Sequence, residues 1–334
     1  MITIIENTLR DGSYVIDFQF GKSETSTISR GLYDLGFDYI EVGHGLGLGA
    51  WNKKECGLAK TDDKTYILSA RLAAPKAKIG VFFIPGIGTK EDIDIAIDAG
   101  INFIRIGCNV DTYYKMREFA DYAKKKGLLV AGNLMKSYAV KSYEFTKIAK
   151  EINRWECVDI IYLVDSAGCM IPQEVFEYID RTKEQINLSL GFHGHNNLSM
   201  AVANSIEAVR AGASFVDSSI RGMGRSAGNA QTEILVYFLK KMNLINFKSD
   251  VYDFYNFANK YIVPLMTVNQ GLSDEEIHIG ISKFHSSYME IANDAAKKYG
   301  VDKKKLIKKV SDINCINPSR EFFLEIASQL ANNG

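Results

Sequence analysis

Two histidines separated by a single glycine are the clearest candidate for chemistry in this sequence. His193-Gly194-His195 follows a strand-like run, and in an extended segment residues i and i+2 project to the same side. Both imidazoles can therefore converge on one point. Asp11 follows another strand-like run, and imidazole with carboxylate suits Mn²⁺, Fe²⁺, Co²⁺, Zn²⁺ or Mg²⁺. The spacing indicates a divalent-metal site, with Asp11 as a candidate third ligand.

The elements that must position these residues alternate between short β-branched runs and amphipathic segments. The strand candidates are residues 2–7, 39–43, 79–84, 103–107, 128–135, 159–165, 189–193 and 215–218. Eight strand–helix units within about 240 residues match the size of a (β/α)₈ TIM barrel. A doubly wound sheet would carry a glycine-rich dinucleotide turn after the first strand. The segment that follows this strand, Asn7-Thr8-Leu9-Arg10-Asp11-Gly12, contains no such turn.

The rest of the chain lacks the alternation. Helix-like stretches occupy residues 254–265, 286–299, 304–310 and 320–330, and residues 269–273 read as a loop. We therefore predict two domains: a catalytic barrel over residues 1–242 and a C-terminal helical appendage over residues 243–334.

Composition excludes several classes of protein. Forty basic residues balance forty acidic ones, so the basic excess of a nucleic-acid binder is missing. The longest apolar runs, such as residues 81–87, are far shorter than the roughly 18–20 residues that span a bilayer. The N-terminus opens into a strand without a signal-peptide pattern, and five scattered cysteines lack CxxC spacing. These features predict a cytoplasmic protein with reduced thiols and no membrane or nucleic-acid partner.

In a barrel enzyme the catalytic side chains lie just after the strands, at their C-terminal ends. Polar residues at these places follow the first, second, sixth, seventh and eighth strands: Arg10 and Asp11, Glu41 and His44, Asp165 and Ser166, His193 and His195, and then Arg225 and Asn229.

Four motifs at these strand ends form a highly specific combination. They are Thr8-Leu9-Arg10-Asp11-Gly12-Ser13, Glu41-Val42, His193-Gly194-His195-Asn196-Asn197-Leu198 and Gly222-Met223-Gly224-Arg225-Ser226-Ala227-Gly228-Asn229. The combination resembles the DRE-TIM metallolyases, which include hydroxymethylglutaryl-CoA lyases, isopropylmalate synthases and 4-hydroxy-2-oxovalerate aldolases. The chain is most similar to the aldolases, because the likeness extends to Glu41-Val42-Gly43-His44-Gly45, Pro85-Gly86-Ile87-Gly88, Val202-Ala203-Asn204-Ser205-Ile206 and Ser286-Ser287.

The resemblance implies a role for each matching residue. Asp11, His193 and His195 would hold one divalent ion, Mn²⁺ or Mg²⁺. Asn229 matches an asparagine that completes the metal sphere in some members of the superfamily. Arg10 would stabilise an enolate, and Glu41 would orient Arg10. Ser166 and His193 would contact the substrate.

The reaction implied is that of a carbon–carbon lyase. The enzyme would cleave or form the C3–C4 bond of a 4-hydroxy-2-oxo acid, with pyruvate and an aldehyde as partners. An acylating aldehyde dehydrogenase would receive the aldehyde, and the chain would form homo-oligomers. A Claisen-type acyl-CoA lyase or synthase is the alternative reaction. A non-catalytic binding subunit is a third possibility, which the retention of Arg10, Asp11, His193 and His195 argues against.

The chain departs from the aldolase pattern at two positions. Tyr14 follows Asp-Gly-Ser where the aldolases have a histidine, and His285 precedes Ser-Ser where they have a tyrosine. A phenol with a pKa of ~10 is a poor base at neutral pH, whereas an imidazole near ~6.5 is well poised. We therefore predict that His285 is the acid/base and that Tyr14 is a hydrogen-bonding partner. The alternative is that His285 is an ordinary surface histidine.

Overall fold

A closed barrel of eight parallel strands forms the body of the protein in a computed structural model, which describes residues 2–268 and 270–332. The strands are β1 (Thr3–Glu6), β2 (Tyr39–Glu41), β3 (Lys78–Phe83), β4 (Phe103–Asn109), β5 (Leu129–Met135), β6 (Ile160–Asp165), β7 (Ser189–Gly194) and β8 (Phe215–Ser218). Each strand pairs with the next, and β8 closes the barrel by pairing in parallel with β1. The predicted TIM barrel is confirmed, and each predicted strand overlaps an observed one.

A helix follows every strand and packs on the outside of the barrel. These helices are α1 (Lys22–Leu35), α2 (Asp63–Ala73), α3 (Lys90–Asp98), α4 (Arg117–Lys125), α5 (Ser142–Asn153), α6 (Pro172–Lys183), α7 (Ala201–Ala211) and α8 (Thr232–Lys241). Side chains such as Ile40, Val81 and Ile104 are fully buried in the main hydrophobic core. Burying an aliphatic side chain of this size contributes about 1.5–3 kcal/mol.

Local sequence signals set the ends of these helices. Thr89 caps α3, since its hydroxyl accepts a hydrogen bond from the backbone N–H of Asp92 at 3.3 Å. Gly212 ends α7 with a φ of 122°, a conformation that glycine adopts without steric cost. Leu198, Val202, Ile206 and Val209 keep a helical spacing in the sequence, which predicts a helix from Leu198. Helix α7 starts later, at Ala201, because Ser199 has a φ of 59° and belongs to the preceding loop.

The C-terminal part is helical, as predicted. It contains α9 (Val251–Phe257), which continues through a π-helical turn (Ala258–Ile262) and a 3₁₀ turn (Val263–Leu265), and then α10 (Asp274–Ile281), α11 (Met289–Tyr299), α12 (Lys303–Ile313) and α13 (Arg320–Asn332). Phe254 and Ile262 pack into the barrel core, whereas a second core gathers residues from Ile279 to Ala327. The domain boundary at residue 242 stays a prediction.

The loop predicted over residues 269–273 is irregular at residues 270–272, and Ser273 caps α10. Asn269 lies outside the described residues. Over those residues, no helix is both long and apolar enough to cross a membrane.

Candidate active site

Three buried side chains converge at the C-terminal end of the barrel. Asp11 begins a short 3₁₀ helix after β1, His193 lies on β7, and His195 directly follows that strand. One ligand atom of each lies within 4.8 Å of the others. A Cβ atom at Gly194 would lie 2.7 Å from the Phe192 ring, so any other residue between the two histidines would have to displace that ring. The predicted convergence of the two imidazoles with Asp11 is therefore present.

Hydrogen bonds orient both imidazoles. The Nδ1 atom of His193 lies 2.8 Å from Oδ2 of Asp217, and the Nδ1 atom of His195 lies 3.2 Å from the carbonyl oxygen of Gly228. Because both partners are acceptors, Nδ1 carries the proton and Nε2 keeps its lone pair. Burial lowers the pKa of His195 to about 4. The ring is thus neutral near pH 7, the form that binds a metal.

The carboxylate of Asp11 is held in its ionised form. Burial alone would raise its pKa, but Arg10 and the two histidines outweigh this effect and keep the pKa well below its usual range. Asn229 donates from Nδ2 to Oδ2 of Asp11 at 2.8 Å and to the carbonyl oxygen of Met223 at 3.1 Å. Its Oδ1 atom is buried without a hydrogen-bond partner within the described chain. Two imidazole nitrogens, a carboxylate and this amide oxygen form a donor set that fits a divalent ion.

Arg10 is fixed beside the cluster by two carboxylates. Its Nε donates to Oε2 of Glu41 at 2.7 Å, and its Nη1 donates to Oδ1 of Asp11 at 2.6 Å. The guanidinium lies 4.7 Å from the centre of the Phe82 ring. Nη2 makes no hydrogen bond to the described residues. Arg10 is therefore held as a rigid cation with one donor group to spare.

Asp217 on β8 connects the two parts of the site, although sequence reasoning gave it no role. Its Oδ2 atom accepts hydrogen bonds from Asn7 at 2.9 Å, from Arg105 at 2.6 Å and from His193 at 2.8 Å. Arg105 also donates from Nε and Nη2 to Glu41, at 2.8 Å each. Burial would raise the pKa of Asp217, but Arg105 and His193 lower it to about 2. A carboxylate directly after Phe215 and Val216, near the end of the eighth strand, was the available sequence signal.

A cavity of about 260 Å³ opens over this cluster. Its lining includes eight of the residues singled out from the sequence: Arg10, Asp11, Tyr14, Ser166, His193, His195, Arg225 and His285. Glu41 and Asn229 do not line the cavity and lie behind Arg10 and Asp11, to which they are hydrogen-bonded. The oxygen of Ser166 accepts a hydrogen bond from the backbone N–H of Lys136 at 3.0 Å.

Tyr14 and His285, the two positions at which the chain departs from the aldolase pattern, both line this cavity. Burial raises the pKa of Tyr14, and the nearby Arg225 offsets only part of this effect. His285 is partly exposed to the cavity. Desolvation of its ring, together with the charges of Arg225 and Lys136, holds its pKa well below the usual value. Its Nδ1 accepts a hydrogen bond from the backbone N–H of Ser287 at 3.2 Å and lies 2.7 Å from the Ser287 hydroxyl.

Two other polar residues at strand ends have structural roles. His44 stacks on Phe18 with ring centres 3.9 Å apart, and its Nε2 lies 2.9 Å from the carbonyl oxygen of Gly57. Asp165 accepts hydrogen bonds from the backbone nitrogens of Cys169 and Met170. Both residues shape loops, and neither lines the cavity.

Comparison with known proteins agrees with this geometry. The family model described as HMGL-like matches residues 1–260. The chain belongs to the HMGL-like family. A 4-hydroxy-2-oxovalerate aldolase of Geobacillus thermodenitrificans is 34% identical over 330 residues, covering 99% of this chain and 96% of the relative. A protein of the same name from Pelotomaculum thermopropionicum is 34% identical over 332 residues, covering 99% and 97%.

Solved structures share the fold of this HMGL-like chain. The N-terminal domain of a proposed aldolase from Bacteroides vulgatus superposes with a TM-score of 0.75 and 26% identity, covering 86% of this chain and 95% of that domain. Hydroxymethylglutaryl-CoA lyase from Bacillus subtilis gives a TM-score of 0.68 with 18% identity, covering 82% and 96%. The prediction of a carbon–carbon lyase of the HMGL-like family is confirmed.

Lys136 is a cavity residue of this family member that sequence reasoning missed. It directly follows β5 and has a φ of 59°, in the left-handed region. Its side chain is almost entirely buried. The rule that led to the other residues, a polar side chain just after a barrel strand, would have found it as well.

Proposed function

We propose that the chain is a divalent-metal-dependent aldolase that cleaves or forms the C3–C4 bond of a 4-hydroxy-2-oxo acid, with pyruvate and an aldehyde as the smaller partners. The observation that carries this proposal is the convergence of Asp11, His193 and His195 beside Arg10, in a cavity sized for a small molecule. The printed names of relatives that match nearly the whole chain support the same reaction.

Asp11, His193 and His195 would hold Mn²⁺ or Mg²⁺, with the free amide oxygen of Asn229 as an additional donor. When bound, the ion supplies a Lewis acid that polarises the keto group of the 2-oxo acid. Asp217 contributes by keeping the ring of His193 in one orientation and one tautomer. Partners of this kind normally improve the affinity of a metal site about 10- to 100-fold.

Arg10 is placed to stabilise negative charge on the keto oxygen. When the C3–C4 bond breaks, its electrons move towards that oxygen and an enolate forms. A guanidinium held by Glu41 and Asp11 needs no reorganisation at that moment, which makes such a cation effective in a buried site. Arg105, which also binds Glu41, keeps that carboxylate from moving.

His285 would take the proton from the C4 hydroxyl group. Its lowered pKa keeps the ring neutral near pH 7. The shorter of its two contacts with Ser287, at 2.7 Å, is to the hydroxyl. Nδ1 also accepts a hydrogen bond from the backbone N–H of Ser287 at 3.2 Å. The ring therefore takes up the C4 proton at Nε2 only in the tautomer that gives up this bond and donates from Nδ1 to the Ser287 hydroxyl. The raised pKa of Tyr14 makes its phenol a hydrogen-bond donor, and Ser166 would contact the substrate.

The two predicted protein partnerships belong to the same proposal. An acylating aldehyde dehydrogenase would accept the aldehyde, and the chain would assemble as a homo-oligomer. Light scattering of the purified chain gives its mass in solution, and a pull-down with a dehydrogenase of this class tests the other partnership. A monomer in solution contradicts the first, and failure of the dehydrogenase to bind contradicts the second.

Turnover assays distinguish the proposed reaction from the Claisen alternative. Enzyme loaded with Mn²⁺ is incubated with pyruvate and an aldehyde, and separately with acetyl-CoA and a 2-oxo acid. We expect a 4-hydroxy-2-oxo acid in the first mixture and no consumption of acetyl-CoA in the second. Consumption of acetyl-CoA without any aldol product would overturn the proposal. Inactivity in both mixtures, with no metal bound, would favour a binding subunit.

A further inference from the structure

Two cations of the cavity have no acidic partner. Lys136 and Arg225 both line it, yet in the described chain neither forms an ion pair within 4.0 Å of a carboxylate oxygen. Arg10, in the same cavity, pairs with Asp11 and Glu41. Lys136 is buried and Arg225 is partly buried, and a cation that is shielded from water without a counter-charge is costly. Lys136 and Arg225 therefore need an explanation that the enolate chemistry does not give.

The ammonium group of Lys136 retains a free donor. Nζ donates to the hydroxyl of Tyr288 at 3.1 Å and to the carbonyl oxygen of Ile316, and an ammonium has three N–H bonds. Burial lowers the pKa of Lys136 to about 8, and Arg225 adds to this effect. The main opposing carboxylate is that of Asp111, which is exposed and hydrogen-bonded to Asn317 at 2.9 Å.

Arg225 is also only partly used by the protein. Its Nε donates to the hydroxyl of Ser286 at 2.9 Å, and the guanidinium lies 5.1 Å from the centre of the Tyr14 ring. Neither terminal nitrogen makes a hydrogen bond to the described residues. A planar pair of N–H groups matches the oxygens of a carboxylate or a phosphate.

The two cations act on the same end of the cavity. Both lower the pKa of His285, and Arg225 lowers that of Lys136. Lys136 follows β5, across the barrel from Asp11 after β1, whereas Arg225 follows β8, which lies between β7 and β1. Arg225 therefore also lies near His195, whose pKa it helps to lower. The groups nearest the C4 hydroxyl in the proposed reaction, Tyr14 and His285, are thus neighbours of Arg225.

We propose that Lys136 and Arg225 form an anion subsite for the distal end of the substrate, so that the aldehyde carries its own carboxylate or phosphate group. The inference rests on the proposed function, since it places the aldehyde carbon between the enolate and this subsite. The proton transfer and the C3–C4 bond change remain those of the proposed aldol reaction. The subsite specifies only the class of aldehyde that the enzyme uses.

Equilibrium binding tests the subsite without turnover. The probes are 2-oxoglutarate and 2-oxopentanoate, which share the 2-oxo carboxylate and differ in the distal carboxylate. Neither has a 4-hydroxyl group, so neither is cleaved. With Mn²⁺-loaded enzyme we expect 2-oxoglutarate to bind about 10- to 100-fold more tightly, the usual effect of a charge-assisted hydrogen bond to a desolvated group.

The ratio of the two dissociation constants should fall towards one in Lys136→Met and in Arg225→Gln. Comparing two ligands within each variant cancels any general loss of folding or metal. Lys147→Met removes one charge from the exposed face of α5 and should leave the ratio as in the wild type. Equal binding of both probes by the wild type overturns the subsite. Weakening of both probes alike in the variants also overturns it, because the two cations would then bind the shared 2-oxo carboxylate.

Turnover identifies the anion. Succinic semialdehyde is compared with butanal, and glyceraldehyde 3-phosphate with glyceraldehyde, each with pyruvate. We expect kcat/KM to be higher for the charged member of at least one pair, and that pair shows whether carboxylate or phosphate is preferred. Higher values for both neutral aldehydes would overturn the proposal. Exchange of the pyruvate methyl protons in D₂O reports enolate formation and needs no aldehyde. If the enzyme catalyses this exchange but shows no preference for charged aldehydes, the subsite is wrong and the proposed function stands.

Discussion

Replacement of Asp217 by asparagine should weaken the metal site without touching a metal ligand. Asp217→Asn keeps the size of the side chain and one acceptor oxygen. It removes the negative charge that accepts hydrogen bonds from both His193 and Arg105. Losing an outer partner of this kind lowers metal affinity about 10- to 100-fold. At 25 °C that range corresponds to about 1.4–2.8 kcal/mol.

The fold should lose stability as well, and the two effects can be separated. Removing one partner of a buried ion pair costs about 3–5 kcal/mol, but Arg105 keeps two hydrogen bonds to Glu41, so we expect the lower end of that range. The assay is Mn²⁺ titration of the metal-free protein by calorimetry, with urea unfolding at zero and saturating Mn²⁺. The metal-dependent gain in unfolding free energy reports affinity for the native state alone.

Asp34→Asn is the matched control, because Asp34 is exposed and, among the described residues, pairs only with Arg30 one helical turn away. This variant should bind Mn²⁺ as the wild type does. If Asp217→Asn folds and binds Mn²⁺ with wild-type affinity, the role assigned to Asp217 is wrong.

Three further predictions concern catalysis. Arg10→Lys keeps the charge but loses the planar fork, so kcat should fall by orders of magnitude while metal content is preserved; a near-normal kcat would contradict the role. His285→Ala should lose on the order of 10²–10⁴-fold in kcat, whereas Tyr14→Phe should lose only a hydrogen bond of roughly 0.5–1.5 kcal/mol; the reverse ranking would assign the base to Tyr14. Only neutral His285 accepts a proton, and the pKa of His285 is lowered, so the acidic limb of the pH profile of kcat/KM should lie below pH 6.5. In Lys136→Met, which removes a nearby positive charge, this limb should move to higher pH. A limb that stays in place would exclude His285 as its source.

The barrel was predictable because strand-like and helix-like segments alternate regularly along the sequence. Apolar runs of four to eight residues alternate with helical stripes, and each buried strand must hide both faces. The polar residue that ends each run then lies at the functional end of the barrel, which is how Arg10, Asp11, His193 and His195 were found. The late start of α7 was missed because Leu198 continues the helical period while Ser199, with positive φ, breaks it.

The support of the site was harder to predict, because it depends on contacts across the barrel. Nothing local pairs Asp217 with His193 or Arg105, which are 24 and 112 residues away in sequence. Lys136 illustrates a different reason: its place just after a strand makes it a candidate, but its burial and its lack of an acidic partner among the described residues are not visible in the sequence. Both properties depend on the C-terminal helices, whose arrangement the sequence pattern did not specify.

Metal analysis of the purified protein tests the central claim most directly, namely that Asp11, His193 and His195 hold a divalent ion. The wild type, His193→Ala and His195→Ala are each loaded with Mn²⁺, freed of unbound ion and measured for metal per chain. We predict about one ion per chain in the wild type and loss of the ion in both variants, since each removes one of the two imidazole ligands. Equal metal content in all three proteins would contradict the account.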